Sequence, residues 1–372
     1  MFENAIEVLK LIEKKGFKAY IVGGYVRDIY LSNTSTDIDI CTSAKPKDLV
    51  KIFKKKVIID EKYGSVKLEY KNSCFDITTF RKDIKYKDNR RPSEIEYVDL
   101  LEEDLKRRDF TINTLCMDSN GNIIDLFNAK KDIMSKTIKT VGDANEKLSE
   151  DSLRILRAVR FACTLNFKLD KDVEKAIKKN IKSLDNLSFH RKKSELNHIF
   201  RSNNYEYGIK LLNKFKLDKH LEISSLNKIK KTSDVLGMWA QIKYSDSYPF
   251  SKLEKESINS IREILLYGKI DNYVLYKYGN CIPLTAGEIL GIDKKEILEK
   301  YDALSIYSKD DIKINILEIS NILGIEPSKK ARDILYDIEM KIVSDELNNT
   351  VDDIEKYIIK KYKRWYYEEW YS

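Results

Sequence analysis

The sequence predicts an α/β sheet domain up to about Lys139, followed by a nearly all-helical remainder. Two patterns carry that reading. Up to Lys139, short β-branched runs alternate with short helical stretches: 19–22, 37–41, 66–70 and 74–80. Beyond Gly142 strand signals largely vanish, and apolar residues recur at helical spacing, first at Leu153, Leu156 and Val159, then at Val173, Ile177 and Ile181.

With 372 residues the chain exceeds one ordinary core, so two or more domains are expected. Lys and Arg number 68 against 60 Asp and Glu, a formal net charge of +8. Such an excess favours a polyanionic partner but equally suits a solvated surface, so the motifs must decide. The five cysteines are scattered and never in CxxC spacing, and they read as reduced core thiols rather than a disulfide framework. The sequence opens into an amphipathic stretch, Phe2 to Lys15, with no secretory apolar core. No apolar run approaches the roughly 20 residues of a membrane span, so a cytoplasmic protein is expected. In the helical part, Ala331, Ile334, Leu335, Ile338 and Ile342 mark one face, and Thr350 reads as the cap of a last helix. Residues 244–251 read as a loop, and periodicity between 217 and 310 is weak.

Chemistry enters at the first strand. It ends in Gly23-Gly24 and runs into Tyr25-Val26-Arg27-Asp28, which places bare backbone N–H groups at a helix start, where a polyphosphate can approach without meeting a Cβ. On its own that is an ordinary strand-to-helix turn. Asp37 and Asp39 flank Ile38, and the two-residue period of a strand puts both carboxylates on one face and Ile38 and Ile40 on the other. A hard divalent cation such as Mg²⁺ suits paired carboxylates and phosphate oxygens together, although a DxD alone is more often exposed strand polarity. Asp76 alternates out of an apolar strand and reads either as a third carboxylate or as a solvent-facing residue.

The order Gly-Gly, Asp-x-Asp, then a third acidic strand resembles the polymerase β-like nucleotidyltransferase head. More narrowly, residues 23–28, Asp37-Ile38-Asp39 and Arg107-Arg108-Asp109-Phe110-Thr111-Ile112-Asn113 resemble the signatures of class II CCA-adding enzymes and bacterial poly(A) polymerases. The resemblance implies a catalytic head over 1–140, a helical neck over 141–205, a helical body over 206–305 and a helical tail over 306–372. It implies Mg²⁺ on Asp37 and Asp39, with Arg108, Asp109 and Asn113 holding ribose and triphosphate. Thr114 stands where the family usually has Ala.

Residues 149–161, Ser-Glu-Asp-Ser-Leu-Arg-Ile-Leu-Arg-Ala-Val-Arg-Phe, read as one helix capped by Ser149. Asp151 and Arg154 are three apart and would ordinarily be a helix ion pair. A second reading rests on hydrogen-bond complementarity: Asp accepts from the exocyclic amino group shared by cytosine and adenine, and Arg donates to the adjacent ring nitrogen. Guanine and uracil present a carbonyl beside a ring N–H, which mismatches the same pair. The stretch resembles the family's EDxxR motif, which makes Asp151 and Arg154 the base readers, Arg157 a base support and Arg160 a further nucleotide contact.

Residues 82–92 read as a charged mobile loop, which in the resemblance is the flexible loop that CCA-adding enzymes need for the final A. His190 to Leu196 resembles a weak form of the family's neck motif, and Ser328-Lys329-Lys330-Ala331 stands where a Gly-Pro-x-x-Gly turn is usual. Only three His occur, none beside Asp, which excludes an HD-type phosphohydrolase domain. The C-terminal run from Lys356 interleaves cations with aromatics, suiting either RNA contact or anchoring of the last helix. The expectation is template-independent addition of CCA to the 3′ end of tRNA from CTP and ATP. Poly(A) polymerase, CC-only and A-only activities are the alternatives within the family. A decayed RNA-binding protein and a small-molecule nucleotidyltransferase are rivals outside it.

Overall fold

The computed structural model describes residues 1–54, 57–60, 64–86 and 92–363, and its contacts divide them into two compact units. The first spans Met1–Ser224 with Tyr244–Pro249, and the second spans Ser225–Lys243 with Phe250 onward.

The first unit opens with helix α1 (Phe2–Glu13), whose Ala5, Val8, Leu9 and Ile12 are all buried, one apolar stripe at 3.6 spacing. Then come β1 (Ala19–Val22), α2 (Gly24–Tyr30), β2 (Asp39–Thr42), α3 (Pro46–Phe53), β3 (Val57–Asp60), β4 (Ser65–Tyr70) and β5 (Ser73–Thr79). A hairpin of β6 (Arg81–Tyr86) and β7 (Pro92–Tyr97) leads to α4 (Leu101–Lys106), β8 (Cys116–Met117), β9 (Ile123–Ile124), α5 (Ala129–Met134) and β10 (Thr137–Ile138). Seven strands form one mixed sheet in the order β3-β4-β5-β2-β1-β8-β9. β2 lies antiparallel to β1 and parallel to β5, with Asp39 opposite both Val22 and Asp76.

The sheet meets the sequence reading with two differences. β2 starts at Asp39, so Asp37 lies in the segment before the strand rather than within it. Ile38 and Ile40 are nevertheless buried as the alternation requires. The expected loop over 82–92 begins and ends as strand, with a bulge between Asp83 and Tyr86, because an antiparallel register satisfies its backbone groups. Residues 87–91 lie outside the described residues.

Helices then take over: α6 (Ala144–Glu150), α7 (Leu153–Leu165), α8 (Lys171–Asn180), α9 (Phe189–Arg201), α10 (Tyr205–Lys214) and α11 (Leu217–Leu221), with a two-residue strand β11 (Lys168–Leu169) pairing parallel to β10. The predicted single helix over 149–161 is two. Asp151 takes an extended conformation and its carboxylate accepts from Leu153 N–H (3.0 Å), so it serves the first turn of α7, while Ser149 sits inside α6. α7 is held where α10 approaches it closely at Gly208. A Cβ there would stand 2.5 Å from the Ile199 side chain and 2.9 Å from Cys163 Sγ, nearer than real Cβ contacts come. Cys41, Cys116 and Cys163 are buried free thiols, as expected, whereas Cys74 and Cys281 are exposed.

The second unit is helical: α12 (Val235–Ala240), α13 (Lys252–Tyr267), α14 (Asn272–Tyr278), α15 (Cys281–Leu290), α16 (Lys294–Asp302), α17 (Ile316–Leu323), α18 (Lys329–Val343) and α19 (Val351–Ile358). Ser251 and Glu254 form a capping box at the start of α13. Ala331, Ile334, Ile338 and Ile342 are buried in one cluster with Leu335 partly buried against it, which is the face the periodicity marked. Thr350 caps α19 by accepting from Asp353 N–H. Among the described residues no helix is long and apolar enough to cross a membrane.

Candidate functional site

Twelve of the thirteen residues singled out from sequence line one cavity of about 540 Å³ in the first unit. These are Gly23, Gly24, Arg27, Asp37, Asp39, Arg108, Asp109, Asn113, Asp151, Arg154, Arg157 and Arg160. Asp76 is not in the lining. Its side chain is half exposed and stands 3.8 Å from Lys67 Nζ, although it lies beside Asp39 in the sheet.

β1 delivers its chain into the cavity wall through Gly23, at φ +84° and ψ −135°, a conformation that side chains strain to adopt. Its N–H donates to Leu115 O (3.1 Å), and α2 starts at the next residue. β2 delivers Asp39. Its side chain touches solvent, yet the crowding cavity walls and then the neighbouring Asp37 carboxylate push it up to about 6, with Arg108 opposing. Two neighbouring carboxylates in a polar cleft are a fitting donor pair for a hard divalent cation, which would complete its shell with water and phosphate oxygens. Among the described residues no group of three potential ligands forms.

A buried relay runs from α2 to α7. Arg27 donates to Asp28 (Nε, 2.9 Å) and to Asn113 Oδ1 (2.7 Å), and Asn113 Nδ2 donates to Asp109 Oδ1 (3.0 Å). Asp109 also accepts from Phe110 N–H (2.8 Å) and from Arg157 Nε (2.6 Å). Burial alone would raise the Asp109 carboxyl, but the Arg157 charge and these hydrogen bonds together hold it down at about 2. With the folded pKa below the ordinary 3.8, its stabilisation is fully present above pH 3.8 and is lost as pH falls through 2, a contribution of about 2 kcal/mol. Urea unfolding of wild type and Asp109→Asn should therefore show a stability gap at pH 5 that narrows between pH 4 and pH 2.

Asp104, wholly buried in the first turn of α4, accepts from Arg81 N–H (3.2 Å) and from Arg107 Nε (2.9 Å), and pairs with Arg108 Nη2 (3.4 Å). Arg108 Nε is buried without a hydrogen-bond partner, and its Nη1 stands beside Gly23. The geometry aligns a guanidinium with the glycine turn, which suits phosphate.

Asp151 and Arg154, spaced for a helix ion pair, are each engaged by other partners. Asp151, at the break between α6 and α7, faces Arg191 of α9 (3.5 Å), while Arg154 donates to Glu150 (2.5 Å), Lys147 O (2.8 Å) and Arg107 O (3.0 Å). Both still line the cavity. Burial raises the Asp151 carboxyl, with Arg191 opposing. Arg160 pairs with Glu195 of α9 (3.3 Å).

Three family models match the chain: the poly A polymerase head domain over 19–139, a probable RNA- and SrmB-binding site of polymerase A over 166–225, and a putative domain 2 of tRNA nucleotidyltransferase over 242–358. A CCA-adding enzyme of Ligilactobacillus salivarius is 35% identical over 384 residues, covering 95% of this chain and 94% of its own length. The chain belongs to the CCA-adding enzyme family. CCA-adding enzymes of Streptococcus uberis and Listeria monocytogenes are 32% and 34% identical over 97% and 96% of the chain. The crystal structure of the Bacillus stearothermophilus CCA-adding enzyme in complex with CTP matches with a TM-score of 0.88 at 26% identity, covering 99% of both chains. This CCA-adding family member is a nucleotidyltransferase whose α/β head precedes a largely helical region, as the motifs implied.

Asp83, Arg107, Leu153, Phe161 and Arg191 also line the cavity, although no sequence pattern marked them for it. Arg107 and Phe161 stood inside the quoted motifs without a role. Arg191 lay in the segment read as a weak neck motif, and only packing of α9 against α7 brings it to Asp151.

Proposed function

We propose that this chain adds C, C and A to the 3′ end of tRNA from CTP and ATP with Mg²⁺, releasing pyrophosphate. One observation carries the reading: a single cavity gathers a carboxylate pair, an arginine set and the candidate base readers. Asp37 and Asp39 would hold Mg²⁺, which when bound neutralises phosphate charge and acidifies the attacking hydroxyl. The turn at Gly23 and Gly24 brings backbone N–H groups to the triphosphate, and Arg27 and Arg108 steady the charge that passes to the leaving pyrophosphate. Asp109 and Asn113 orient the ribose and the arginines around it. Asp151 and Arg154 read the edge shared by cytosine and adenine, and Arg157 supports the base. The 3′-hydroxyl oxygen attacks the α-phosphorus and gives up its proton to solvent, and the bond from that phosphorus to the oxygen bridging to the β-phosphate breaks, releasing pyrophosphate. Asp76, beside Asp39 in the sheet, is the third carboxylate proposed to polarise the hydroxyl.

The proposed division is head 1–140, neck 141–205, body 206–305 and tail 306–372, the body and tail gripping the tRNA elbow as a ruler. The cation and aromatic run from Lys356 is proposed as part of that grip, with residues 364–367 outside the described residues. The protein is proposed to work in the cytoplasm. Incubation with labelled CTP and Mg²⁺, with and without tRNA lacking its terminal CCA, tests the reading. Label should enter material of tRNA length only when tRNA is present. Transfer to a small acceptor without tRNA would overturn it.

A further inference from the structure

Phe161 stands near the end of α7 and lines the cavity, yet no step above uses it. Three guanidinium groups surround its ring: the Arg160, Arg157 and Arg27 carbons lie 4.4, 5.2 and 5.4 Å from its centroid. Each arginine is also tied by one carboxylate, Arg160 by Glu195, Arg157 by Asp109 and Arg27 by Asp28. The ring is 9% exposed and is itself fixed by Phe110, packed at 79° with centroids 5.8 Å apart.

Like charges gathered this closely repel, and their hydrogen-bond partners grip the edges of the guanidinium planes, leaving the faces without support. An aromatic face attracts cations through its quadrupole and gives a planar group a surface to lie against. We propose that Phe161 is a positioning residue, an aromatic post that holds Arg27, Arg157 and Arg160 in one arrangement for the incoming nucleotide. Phe110, in the Arg107–Asn113 segment, ties that post to the residues that orient ribose and triphosphate. The inference rests on the nucleotidyltransfer reading and adds a residue to it. Because one arrangement of these arginines receives either nucleotide, loss of the ring acts on CTP and ATP alike.

The test compares wild type with Phe161→Leu, Phe161→Met and Phe161→Tyr, measuring kcat and KM for CTP and for ATP on tRNA ending before C and before A. Thermal unfolding is followed in parallel. The Leu and Met variants fill the space without a ring, and either should raise both KM values about tenfold with kcat changed less than about threefold. The Tyr variant, which keeps the ring, should stay within about twofold of wild type. The KM and kcat split and the Tyr rescue are not effects that simple loss of packing would give. If a folded Leu or Met variant kept both KM values, or lost kcat alone, or if Tyr behaved like Leu, the post would be refuted. Wild type that adds nothing to tRNA would instead refute the nucleotidyltransfer reading itself.

Discussion

Asp37→Ala should lower turnover with Mg²⁺ by at least about 10³-fold without lowering the protein's thermal stability, since a bound cation of this kind contributes several kcal/mol to the transition state. The stability half follows from sign. Asp39 is pushed up to about 6 by crowding and by the Asp37 carboxylate, so the folded state gains protons relative to the unfolded chain. Its contribution to stability is present below the ordinary 3.8 and is lost as pH rises through 6. At neutral pH the pair is therefore a strained arrangement that removal of Asp37 relaxes. Without divalent cations the Asp37→Ala unfolding midpoint should equal or exceed that of wild type. Mg²⁺ should raise the wild-type midpoint and leave that of the variant unchanged. A variant that unfolds early, or that still responds to Mg²⁺, would place the metal elsewhere.

The second large effect concerns choice of base. Asp151→Ala should reduce kcat/KM for CTP and ATP about 10²-fold, the scale expected when a charged acceptor for a buried amino group is removed. Asp151→Asn offers a donor as well as an acceptor, so it should incorporate UTP and GTP that wild type rejects. The ratio of kcat/KM for CTP over UTP, measured on one tRNA, decides the matter. An unchanged ratio in both variants would assign selection to other residues. Arg154 is already locked by Glu150 and two backbone carbonyls, which presents it as a rigid donor rather than a side chain to be ordered on binding.

The parts of the site legible in sequence were those set by local geometry. The two-residue period of β2 identified Asp37 and Asp39 as a pair even though the strand begins only at Asp39. Helical spacing placed Arg154, Arg157 and Arg160 along α7. The break at Asp151 was not legible, because Glu150, Asp151 and Ser152 all fit a helix start as well as an interior, and only the bond from Leu153 N–H to Asp151 settles it. Packing of α9 on α7 brings Arg191 to the cavity and Glu195 to Arg160, contacts no window of sequence contains. Phe161 read as one more apolar residue of a helical face, and its role emerges only once Arg27 arrives from α2. The helical remainder was legible where caps and stripes were strong, at α18 and α19, and not between 217 and 310, where every helix but the 16-residue α13 has only five to ten residues and few turns to show a period.

The most direct measurement incubates tRNA lacking its 3′ CCA with Mg²⁺ and each labelled nucleoside triphosphate, singly and in pairs, and resolves products at single-nucleotide length. The tRNA should grow by two with CTP alone, by three with CTP and ATP together, and not at all with UTP or GTP. Stopping at two with both nucleotides would make it a CC-adding enzyme, growth by one only on tRNA already ending in CC would make it an A-adding enzyme, and a long ladder with ATP alone would make it a poly(A) polymerase. Any of these three results would contradict the account.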